Sequence, residues 1–471
     1  MPQPKPPPID RTRLILAALF AAMCVAAFLT YQNNLSPPEG KAKHVVLVVF
    51  DTLRADRMSV YGHQAETTPY LKQASREFLR YGSVRSTAPW TIPSHASMFT
   101  GLWPSEHRAQ WGSFRLSGSH LTLAEILAGQ GFCTVGLSAN PFLGDANGLD
   151  QGFGAFEVLD KKPSPEILKE AGSVLDHAPD CGRLFLFINL MDTHIPYTFR
   201  PYADAFGVSQ PPILSADDKW AVSAGTRVLT SHEIEQHQAA YDAAVRETDD
   251  LARTVIDMLR ARNLLDDTLV VFTSDHGEGL GRHQEMGHVL SVWEEQLKVP
   301  LVVRLPGARR GGEVFPRRVS LVGLTPSILD WLAVRRPRVL AERPNLEETA
   351  DEPILAEYRS YFSEGERGFN SKMRDQYPAL AARITHHHVL YCRDHKLIVS
   401  PGGRRQFFDL AADPAEQHDL SGDDPAGFVP CLARYNQLFT AGIFSPFDRS
   451  ASQSPLSKED LDRLKSLGYV Q

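Results

Sequence analysis

The chain has 471 residues, of which 43% are hydrophobic and 22% are charged, and this composition suits a folded globular protein with room for more than one domain. Its formal net charge is -7, and the sequence contains no long basic run. Binding to a nucleic-acid backbone needs a concentrated positive surface, so these features argue against nucleic acid as the partner. We expect the ligand to be a small molecule or a lipid or glycan headgroup.

The N-terminus has the pattern of a membrane-insertion segment. Three basic residues, Lys5, Arg11 and Arg13, precede an uncharged apolar stretch at residues 14–29. The stretch is longer than the apolar core of most signal peptides, and no small-residue cleavage site follows it, which favours a retained anchor over a cleaved signal peptide. The basic flank should stay in the cytoplasm, so we expect a membrane-anchored protein whose main domain faces the periplasm or the exterior.

After this segment, short apolar runs alternate with amphipathic helical patterns at 121–128 and 241–261. Continuous apolar runs are typical of parallel strands that are buried on both faces. The pattern predicts an α/β protein, a three-layer sandwich with a large, mostly parallel central sheet. The predicted strands are 45–50, 134–138, 184–190, 268–272 and 299–305.

Composition divides the chain into four segments, the last of which is polar and rich in proline and arginine at its start. We expect this last segment to be a smaller α+β subdomain, with strands at 396–399 and 406–410 and a helix at 461–467. Its run of three histidines at 386–388 is not predicted to bind metal, because adjacent residues of an extended chain point to opposite faces. The segments are an anchor at 1–35, a linker at 36–43, a main domain at 44–335 and the subdomain at 336–471.

The five cysteines are too few for a disulfide scaffold, and Cys24 lies inside the apolar stretch. The other four could pair in an oxidising compartment, but their spacing does not establish it. We therefore expect buried free thiols. These residues are Cys133, Cys181, Cys392 and Cys431.

Polar side chains follow four of the predicted strands at the point where each strand ends. Asp51 follows the first, and Asp275 and His276 follow the fourth, while Asn140 and His194 follow the other two. The carboxyl ends of parallel strands share one edge of a sheet, so these side chains should converge. Carboxylate oxygens with an imidazole nitrogen suit zinc or manganese, and the sequence predicts a metal site at this edge.

A helix of about two turns is predicted at residues 91–101, with Pro93 near its start and Gly101 at its end. Thr91 would then lie at the helix N-terminus. Threonine is a common helix cap. The positive helix end and a nearby metal would also lower the cost of a threonine alkoxide, so Thr91 is a candidate nucleophile as well.

Five segments, in this order along the chain, resemble the motifs of the sulfatase family in the alkaline phosphatase superfamily. The likeness continues to Leu467-Gly468-Tyr469 and spans nearly everything after His44. It implies an alkaline phosphatase-like fold and a metal-dependent activity on esters. The segments are 48–56 (VVFDTLRAD), 91–95 (TIPSH), 189–197 with its HIPY end, 273–278 (TSDHGE), and 287–288 (GH) together with 299–301 (VPL).

Several positions depart from the sulfatase pattern. Thr91 stands where sulfatases carry the cysteine or serine that is oxidised to formylglycine, and His95 stands where they carry an arginine. Threonine cannot be converted to formylglycine. The family's second metal-binding aspartate, the lysine and histidine of its Gly-Lys-Trp-His segment and a sulfate-contacting lysine correspond here to Thr52, Ser138, Asn140 and His288.

These departures make the chain similar to superfamily members that use threonine directly, such as lipoteichoic acid synthases, phosphoethanolamine transferases and nucleotide phosphodiesterases. By this resemblance one divalent ion, manganese, zinc or calcium, would be bound by four residues, and Thr91 would be the nucleophile. The metal ligands would be Asp51, Thr91, Asp275 and His276. The proton-handling residues would be His194 and His288, and the substrate-binding residues would be Asn140, His95 and Arg54.

Three hypotheses follow. The first is an enzyme that cleaves or transfers phosphate or sulfate esters through a covalent threonine intermediate, with phosphate esters favoured. The second is a sulfatase that uses the unmodified threonine, and the third is a catalytically silent metal-binding protein of the same fold. A second ion held by Asp192, His194 and His288 would need three more well-oriented ligands, so we expect one ion.

Overall fold

The structure is a computed structural model, and it describes residues 42–110, 113–160, 162–197, 201–208, 214, 216–350, 353–359, 377–378, 385–423 and 426–444. The apolar stretch at 14–29 and the predicted helix at 461–467 lie outside these ranges. Within the ranges, no helix combines the length and the apolar character needed to cross a membrane.

Two larger sheets and a short hairpin contain the strands of the described residues. The strands are β1 (His44–Phe50), β2 (Leu79–Arg85), β3 (Cys133–Ser138), β4 (Ala155–Val158), β5 (Leu184–Leu190), β6 (Thr268–Thr273), β7 (Gly279–Leu280), β8 (Met286–Gly287), β9 (Lys298–Val299), β10 (Leu301–Arg304), β11 (Val314–Ser320), β12 (Ile354–Tyr358), β13 (His387–Cys392), β14 (His395–Val399) and β15 (Arg405–Asp409).

The central sheet has nine strands in the order β11-β2-β10-β6-β1-β5-β3-β4, with β9 paired to β2. Five of its pairings are parallel, including those of β1 with β5 and β6. The prediction of an α/β fold with a large, mostly parallel sheet is confirmed. The prediction of one parallel strand at 299–305 is wrong, because the run divides at Pro300 and both pieces are antiparallel to their neighbours. An apolar run indicates burial but carries no information about strand direction.

Helices connect the strands and pack on the sheet. They are α1 (Pro69–Gln73), α2 (Thr91–Thr100), α3 (Pro104–His107), α4 (Leu123–Ala128), α5 (Ser164–Asp176), α6 (Ala178–Cys181), α7 (Ala216–Ser223), α8 (Ser231–Ala261), α9 (Glu294–Leu297), α10 (Leu324–Trp331) and α11 (Phe428–Thr440).

Apolar cores lie on both faces of the central sheet. Alternate β1 residues from Val45 to Val49 face one core, which α2 covers. The other apolar β1 residues, Val46, Val48 and Phe50, face the second core, which α8 covers. Side chains of successive strand residues point to opposite faces, so a strand covered on both sides must be apolar throughout. This requirement explains the apolar run that predicted β1.

The long helix α8 begins ten residues before its predicted start at 241. Thr230 caps it by accepting a hydrogen bond from the Glu233 N–H, and the Glu233 carboxylate accepts one from the Thr230 N–H. This capping box stabilises a polar first turn, which has no apolar periodicity to reveal it.

The C-terminal sheet is antiparallel throughout, in the order β12-β13-β14-β15, and α11 packs on it. The predicted strands at 396–399 and 406–410 correspond to β14 and β15. Lys396 of β14 is fully buried and reaches into the main domain. Its amine donates to the Val292 carbonyl at 2.6 Å and pairs with Glu416 at 2.6 Å and with Glu294 at 3.4 Å.

Two disulfides overturn the expectation of free thiols. Cys133 at the start of β3 is bonded to Cys181 at the end of α6, and Cys392 of β13 is bonded to Cys431 of α11. The partners lie 48 and 39 residues apart in sequence. Pairing across such distances depends on the fold and cannot be read from local spacing.

Candidate active site

The register of the central sheet brings the predicted metal ligands together. Val49 of β1 lies opposite Thr273 of β6. Asp51 and Asp275 each come two residues later, so both carboxylates emerge at the same edge, and His276 follows directly. The ligand atoms of these three side chains lie within 4.8 Å of one another, and all three side chains are fully buried.

The donor atoms of this group fit a divalent cation. Asp51 Oδ1, Asp275 Oδ2 and His276 Nε2 are buried and have no hydrogen-bond partner among the described residues. The His276 Nε2 atom lies 3.8 Å from Asp51 Oδ1 and 3.3 Å from Asp275 Oδ2. His276 Nδ1 donates to the Gly277 carbonyl at 3.0 Å. A carbonyl only accepts, so Nε2 of the neutral ring presents its lone pair to the carboxylates, where a cation would relieve the repulsion.

The pKa values of these three groups are shifted in the directions that favour their uncharged forms. Burial, and next to it the Asp275 carboxylate, raise the pKa of Asp51 to about 7. Burial also raises the pKa of Asp275 to about 7, although backbone N–H groups of Thr52 and His276 oppose it. Burial lowers the pKa of His276. Two adjacent buried carboxylates resist ionisation, and a bound cation would remove that resistance.

Thr91 reaches the same edge as the first residue of α2. The helix begins after the extended residue Trp90 and ends at Gly101, whose φ of 68° is a left-handed cap, so the predicted helix is confirmed. Asn140, which follows β3, joins Thr91 to the metal ligands. Its Nδ2 lies 3.3 Å from Thr91 Oγ1 and donates to Asp51 Oδ2 at 2.7 Å.

His95 lies one helical turn after Thr91 and is fully buried. Its Nδ1 donates to the Thr91 carbonyl at 3.0 Å and is 3.5 Å from Asp275 Oδ2. The ring packs edge-on against Phe99 and Phe187. Burial lowers the pKa of His95 to about 3, so the ring is neutral near pH 7. This position suits the holding of Thr91 and of the turn at residues 275–277, which we call the metal turn. The sequence led us instead to expect a substrate contact.

His194 and His288 lie together beside the metal ligands. Their ring centroids are 4.9 Å apart, and the His288 ring is 4.5 Å from that of His276. Burial lowers the pKa of His194 to about 3 and that of His288 well below its usual value. Both rings are therefore neutral near pH 7. The His194 Nδ1 donates to the Ile195 carbonyl at 2.5 Å.

Glu278, the last residue of the motif at 273–278, had no predicted role, and the structure adds it to the site. It is fully buried, and its carboxylate accepts from His288 Nδ1 at 2.7 Å and from the Ile195 N–H at 3.1 Å. It thereby joins the segments that carry His194 and His288. A carboxylate on Nδ1 orients an imidazole and stabilises its protonated form. In the sequence, the one signal that could have predicted Glu278 as a site residue is its place three residues after Asp275.

Arg54 lies behind the metal turn and is 3% exposed. Its guanidinium binds both carboxylate oxygens of Asp56, at 2.9 and 2.7 Å, and donates to the Glu278 carbonyl at 2.8 Å. A further contact reaches Glu295 at 3.5 Å. These contacts suit the positioning of the turn rather than the substrate contact expected from sequence.

Asp51, Asp275 and His276 form the one group of acidic, histidine or cysteine side chains that meets metal-ligand spacing in the described part of the chain. Asp192, His194 and His288 do not form such a group. The Asp192 carboxylate instead accepts a hydrogen bond from Ser164. A single metal centre is the arrangement that the described residues support.

Comparisons with known proteins identify the family of this chain. The family model described as Sulfatase matches residues 43–334. The multifunctional alkaline phosphatase superfamily protein PehA of Trinickia caryophylli is 25% identical over 515 residues, covering 89% of this chain and 98% of that protein. An ulvan-active sulfatase of Formosa agariphila is 24% identical over 420 residues, covering 80% of this chain and 77% of that protein.

Solved structures share the fold. The phosphonate monoester hydrolase of Agrobacterium radiobacter superposes with a TM-score of 0.67 at 18% identity, covering 88% of this chain and 98% of that one. The phosphonate monoester hydrolase of Silicibacter pomeroyi superposes with a TM-score of 0.62 at 19% identity, covering 85% and 95%.

Proposed function

Because this chain belongs to the sulfatase family, and so to the ester hydrolases of the alkaline phosphatase superfamily, we propose that it cleaves or transfers phosphate esters through a covalent intermediate on Thr91. One observation carries the proposal. The Asn140 amide joins the Thr91 hydroxyl to Asp51, within a buried group of two carboxylates and an imidazole that fits a divalent cation. A hydroxyl in this position can serve as a nucleophile.

In the proposed reaction, Thr91 Oγ attacks the phosphorus of the ester, and the bond from phosphorus to the leaving oxygen breaks. The Thr91 hydroxyl gives its proton to the neutral His288 or His194, and that histidine passes the proton to the leaving oxygen. Water or an acceptor alcohol then displaces the threonine oxygen, and the same histidine takes the proton from the incoming group and returns it to the threonine oxygen. The Glu278 carboxylate supports this exchange, because it stabilises the protonated state of His288.

The metal would be held by Asp51, Thr91, Asp275 and His276. A divalent ion supplies positive charge that stabilises a threonine alkoxide and the anionic ester group. Asn140 would add a neutral hydrogen bond on the same side of the substrate. His95 and Arg54 would keep Thr91 and the metal turn in place.

The identity of residue 91 supports phosphorus over sulfur. By resemblance to sulfatases, a formylglycine hydrate releases sulfate by collapsing back to an aldehyde. Threonine has no such route, and a second nucleophile must displace the transferred group. In-line displacement at phosphorus, with charge spread over the non-bridging oxygens, meets this requirement.

Turnover of three substrates by the metal-loaded protein tests the proposal. The substrates are p-nitrophenyl phosphate, bis-p-nitrophenyl phosphate and p-nitrophenyl sulfate. We expect one or both phosphate esters to react faster than the sulfate ester. Faster turnover of the sulfate would favour a sulfatase that uses unmodified threonine. No turnover of any substrate by protein with bound metal would favour a silent binding protein.

We also propose that the catalytic domain lies outside the cytoplasm, attached by the segment at 1–35. Support comes from the basic flank before residue 14 and from the two disulfides, which are typical of oxidising compartments. Reporter fusions at the C-terminus test this proposal. An active cytosolic reporter beside an inactive periplasmic one would contradict it.

A further inference from the structure

The turn at residues 51–54, which we call the Asp51 turn, has a backbone conformation that its sequence disfavours. Thr52 has a φ of 62°, in the left-handed region that glycine adopts readily. Threonine is branched at Cβ, and such a residue in this region is strained. Thr52 is fully buried and directly follows a candidate metal ligand. A strained residue persists only where its surroundings hold it, so the contacts of Thr52 show what holds this turn.

A tyrosine hydroxyl from the long helix α8 closes the Asp51 turn. Tyr241 Oη donates to the Thr52 carbonyl at 2.6 Å and accepts from the Arg54 N–H at 2.9 Å. One oxygen atom therefore joins the main-chain groups on either side of Leu53. Tyr241 is fully buried, and its ring packs edge-on against Tyr197 with the ring centroids 5.5 Å apart. The hydroxyl is thus presented to the turn by a well-packed side chain.

Further hydrogen bonds of the Asp51 turn reach the other carboxylate ligand and its neighbour in sequence. The Thr52 N–H donates to Asp275 Oδ1 at 3.3 Å, and the Leu53 N–H donates to Ser274 Oγ at 2.9 Å. The Thr52 hydroxyl donates to the Asp51 carbonyl at 2.7 Å. The conformation of Thr52 is therefore linked to the position of Asp51 relative to Asp275. A change in the φ of Thr52 would move one carboxylate with respect to the other.

We propose that Tyr241 is a positioning residue for the metal site, whose hydroxyl holds Thr52 in its left-handed conformation and thereby keeps the Asp51 carboxylate beside the other ligands. It would act through the main chain of the turn and would not touch the ion. Groups that orient metal ligands in this way strongly affect metal affinity. This inference rests on the metal site of the proposed function and adds to it a residue that maintains its geometry.

The first test is titration of metal-free protein with Mn²⁺ by calorimetry. Tyr241→Phe keeps the ring and removes the hydroxyl, and we expect it to bind Mn²⁺ about 10-fold more weakly, as for the loss of a group that orients a ligand. Tyr435→Phe is the matched control, because the hydroxyl of this buried tyrosine contacts His388 of the C-terminal sheet. It should bind Mn²⁺ like wild type. An unchanged affinity in Tyr241→Phe, or an equal loss in Tyr435→Phe, would overturn the proposal.

A second substitution gives a readout that a merely structural role would not move. Glycine adopts the left-handed region without strain, so Thr52→Gly removes the strain that Tyr241 opposes. When Thr52→Gly is also present, Tyr241→Phe should weaken Mn²⁺ binding by less than about threefold, since the two positions act on the same turn. Equal losses with and without Thr52→Gly would refute the proposed role of the hydroxyl.

The outcomes also separate this inference from the proposed function. Titration needs no turnover, so it decides the role of Tyr241 whether or not Thr91 is the nucleophile. Wild type that binds neither Mn²⁺ nor Zn²⁺ would overturn the metal site, and the role of Tyr241 with it. If Tyr241→Phe folds only together with Thr52→Gly, relief of strain has rescued the turn, which supports the proposal. If neither variant folds, the hydroxyl serves the whole fold rather than the turn, and the proposal fails.

Discussion

Three histidines of the site donate their Nδ1 protons to backbone carbonyls, His276 to Gly277, His95 to Thr91 and His194 to Ile195. A carbonyl cannot return a proton, so the main chain selects the tautomer of each ring. His276 is thereby held in the form that binds a metal without first losing a proton. His288 differs, because its Nδ1 partner is the Glu278 carboxylate, which also stabilises a charged ring.

At this residue scale, the proposed nucleophile gives the first prediction. Thr91→Ala should lose at least about a hundredfold in kcat, because it removes the proposed attacking oxygen, which is also a proposed metal ligand. Thr91→Ser keeps the hydroxyl and serves as the control, with a much smaller loss. Rates on p-nitrophenyl phosphate check the prediction. Intact mass after a rapid quench should show a phosphorylated form in wild type or in Thr91→Ser, and none in Thr91→Ala. Equal rates in wild type and Thr91→Ala would contradict a covalent threonine.

The raised pKa values of Asp51 and Asp275 give the second prediction at the residue scale. Both lie at about 7 in the folded protein, against about 3.9 in the unfolded chain. Between these values the folded protein binds more protons than the unfolded one, so the free energy of unfolding of metal-free protein should fall as pH rises from about 4 to about 7. Added Mn²⁺ or Zn²⁺ should therefore raise the Tm more at pH 8 than at pH 5.

Thermal melts of chelated and metal-loaded protein measure this effect. An Asp51→Asn/Asp275→Asn double variant isolates the two carboxyl groups, since it should lose both the pH-dependent fall and the metal response. A metal-induced rise in Tm that is as large at pH 5 as at pH 8 would contradict the assignment of these carboxylates as ligands.

How far sequence reasoning reaches differs between residues of the same site. Asp51 and Asp275 could be predicted, because each comes within two residues of the end of a recognisable strand and parallel strands end at one edge. The contact between Glu278 and His288 could not, since it depends on the path that the folded chain takes between them. The contacts of His95 and Arg54 were also beyond reach, because a motif position does not reveal which way a side chain points.

At the scale of elements, long apolar runs were predicted as strands, whereas the mixed sequence of β2 was not. The prediction located β1 and β5 because every residue of both strands is buried. It missed β2, in which polar and apolar residues mix and burial is uneven. Strand direction was a separate failure at β10, since direction depends on the path of the connecting chain.

The turn after β6 gives an element-scale prediction. A Cβ at Gly277 would lie 3.0 Å from the Glu295 carbonyl carbon and closer still to its oxygen, and 3.1 Å from Arg54 Cγ. Gly277→Ala should therefore displace the turn, lower the metal content and cost about 1–3 kcal/mol in the free energy of unfolding. Gly422→Ala is the matched control, because nothing lies within 4 Å of a Cβ there. Chemical denaturation and elemental analysis measure both effects, and normal metal content in Gly277→Ala would refute this account.

At the scale of the whole molecule, the C-terminal sheet is attached to the main domain through buried charge. The Lys396 amine lies between Glu294 and Glu416, and Glu294 also pairs with Arg85 at 2.5 Å. Tyr391 of β13 donates to the same Glu294 at 2.7 Å. Such a network is costly to break, because removal of one charge leaves its partners buried and uncompensated.

Lys396→Met should accordingly lower the free energy of unfolding by about 3–5 kcal/mol. The exposed pair of Lys72 and Glu66 offers a comparison, and Lys72→Met should cost at most about 1 kcal/mol. Urea denaturation of both variants checks the difference. Similar midpoints for the two variants would show that the buried network contributes little.

The Lys396 contacts also bear on how a recombinant fragment should be cut. The family match ends at residue 334, which suggests a natural place to stop the chain. Yet the Val292 carbonyl, four residues after His288, is held by an amine that comes from β14. A fragment that ends near 335 would lack Lys396, so Glu294 would lose this buried partner. The loop that carries His288 would also lose the hydrogen bond at the Val292 carbonyl. The family model therefore marks only part of the unit that keeps the loop with His288 in place, because that unit extends through the second sheet.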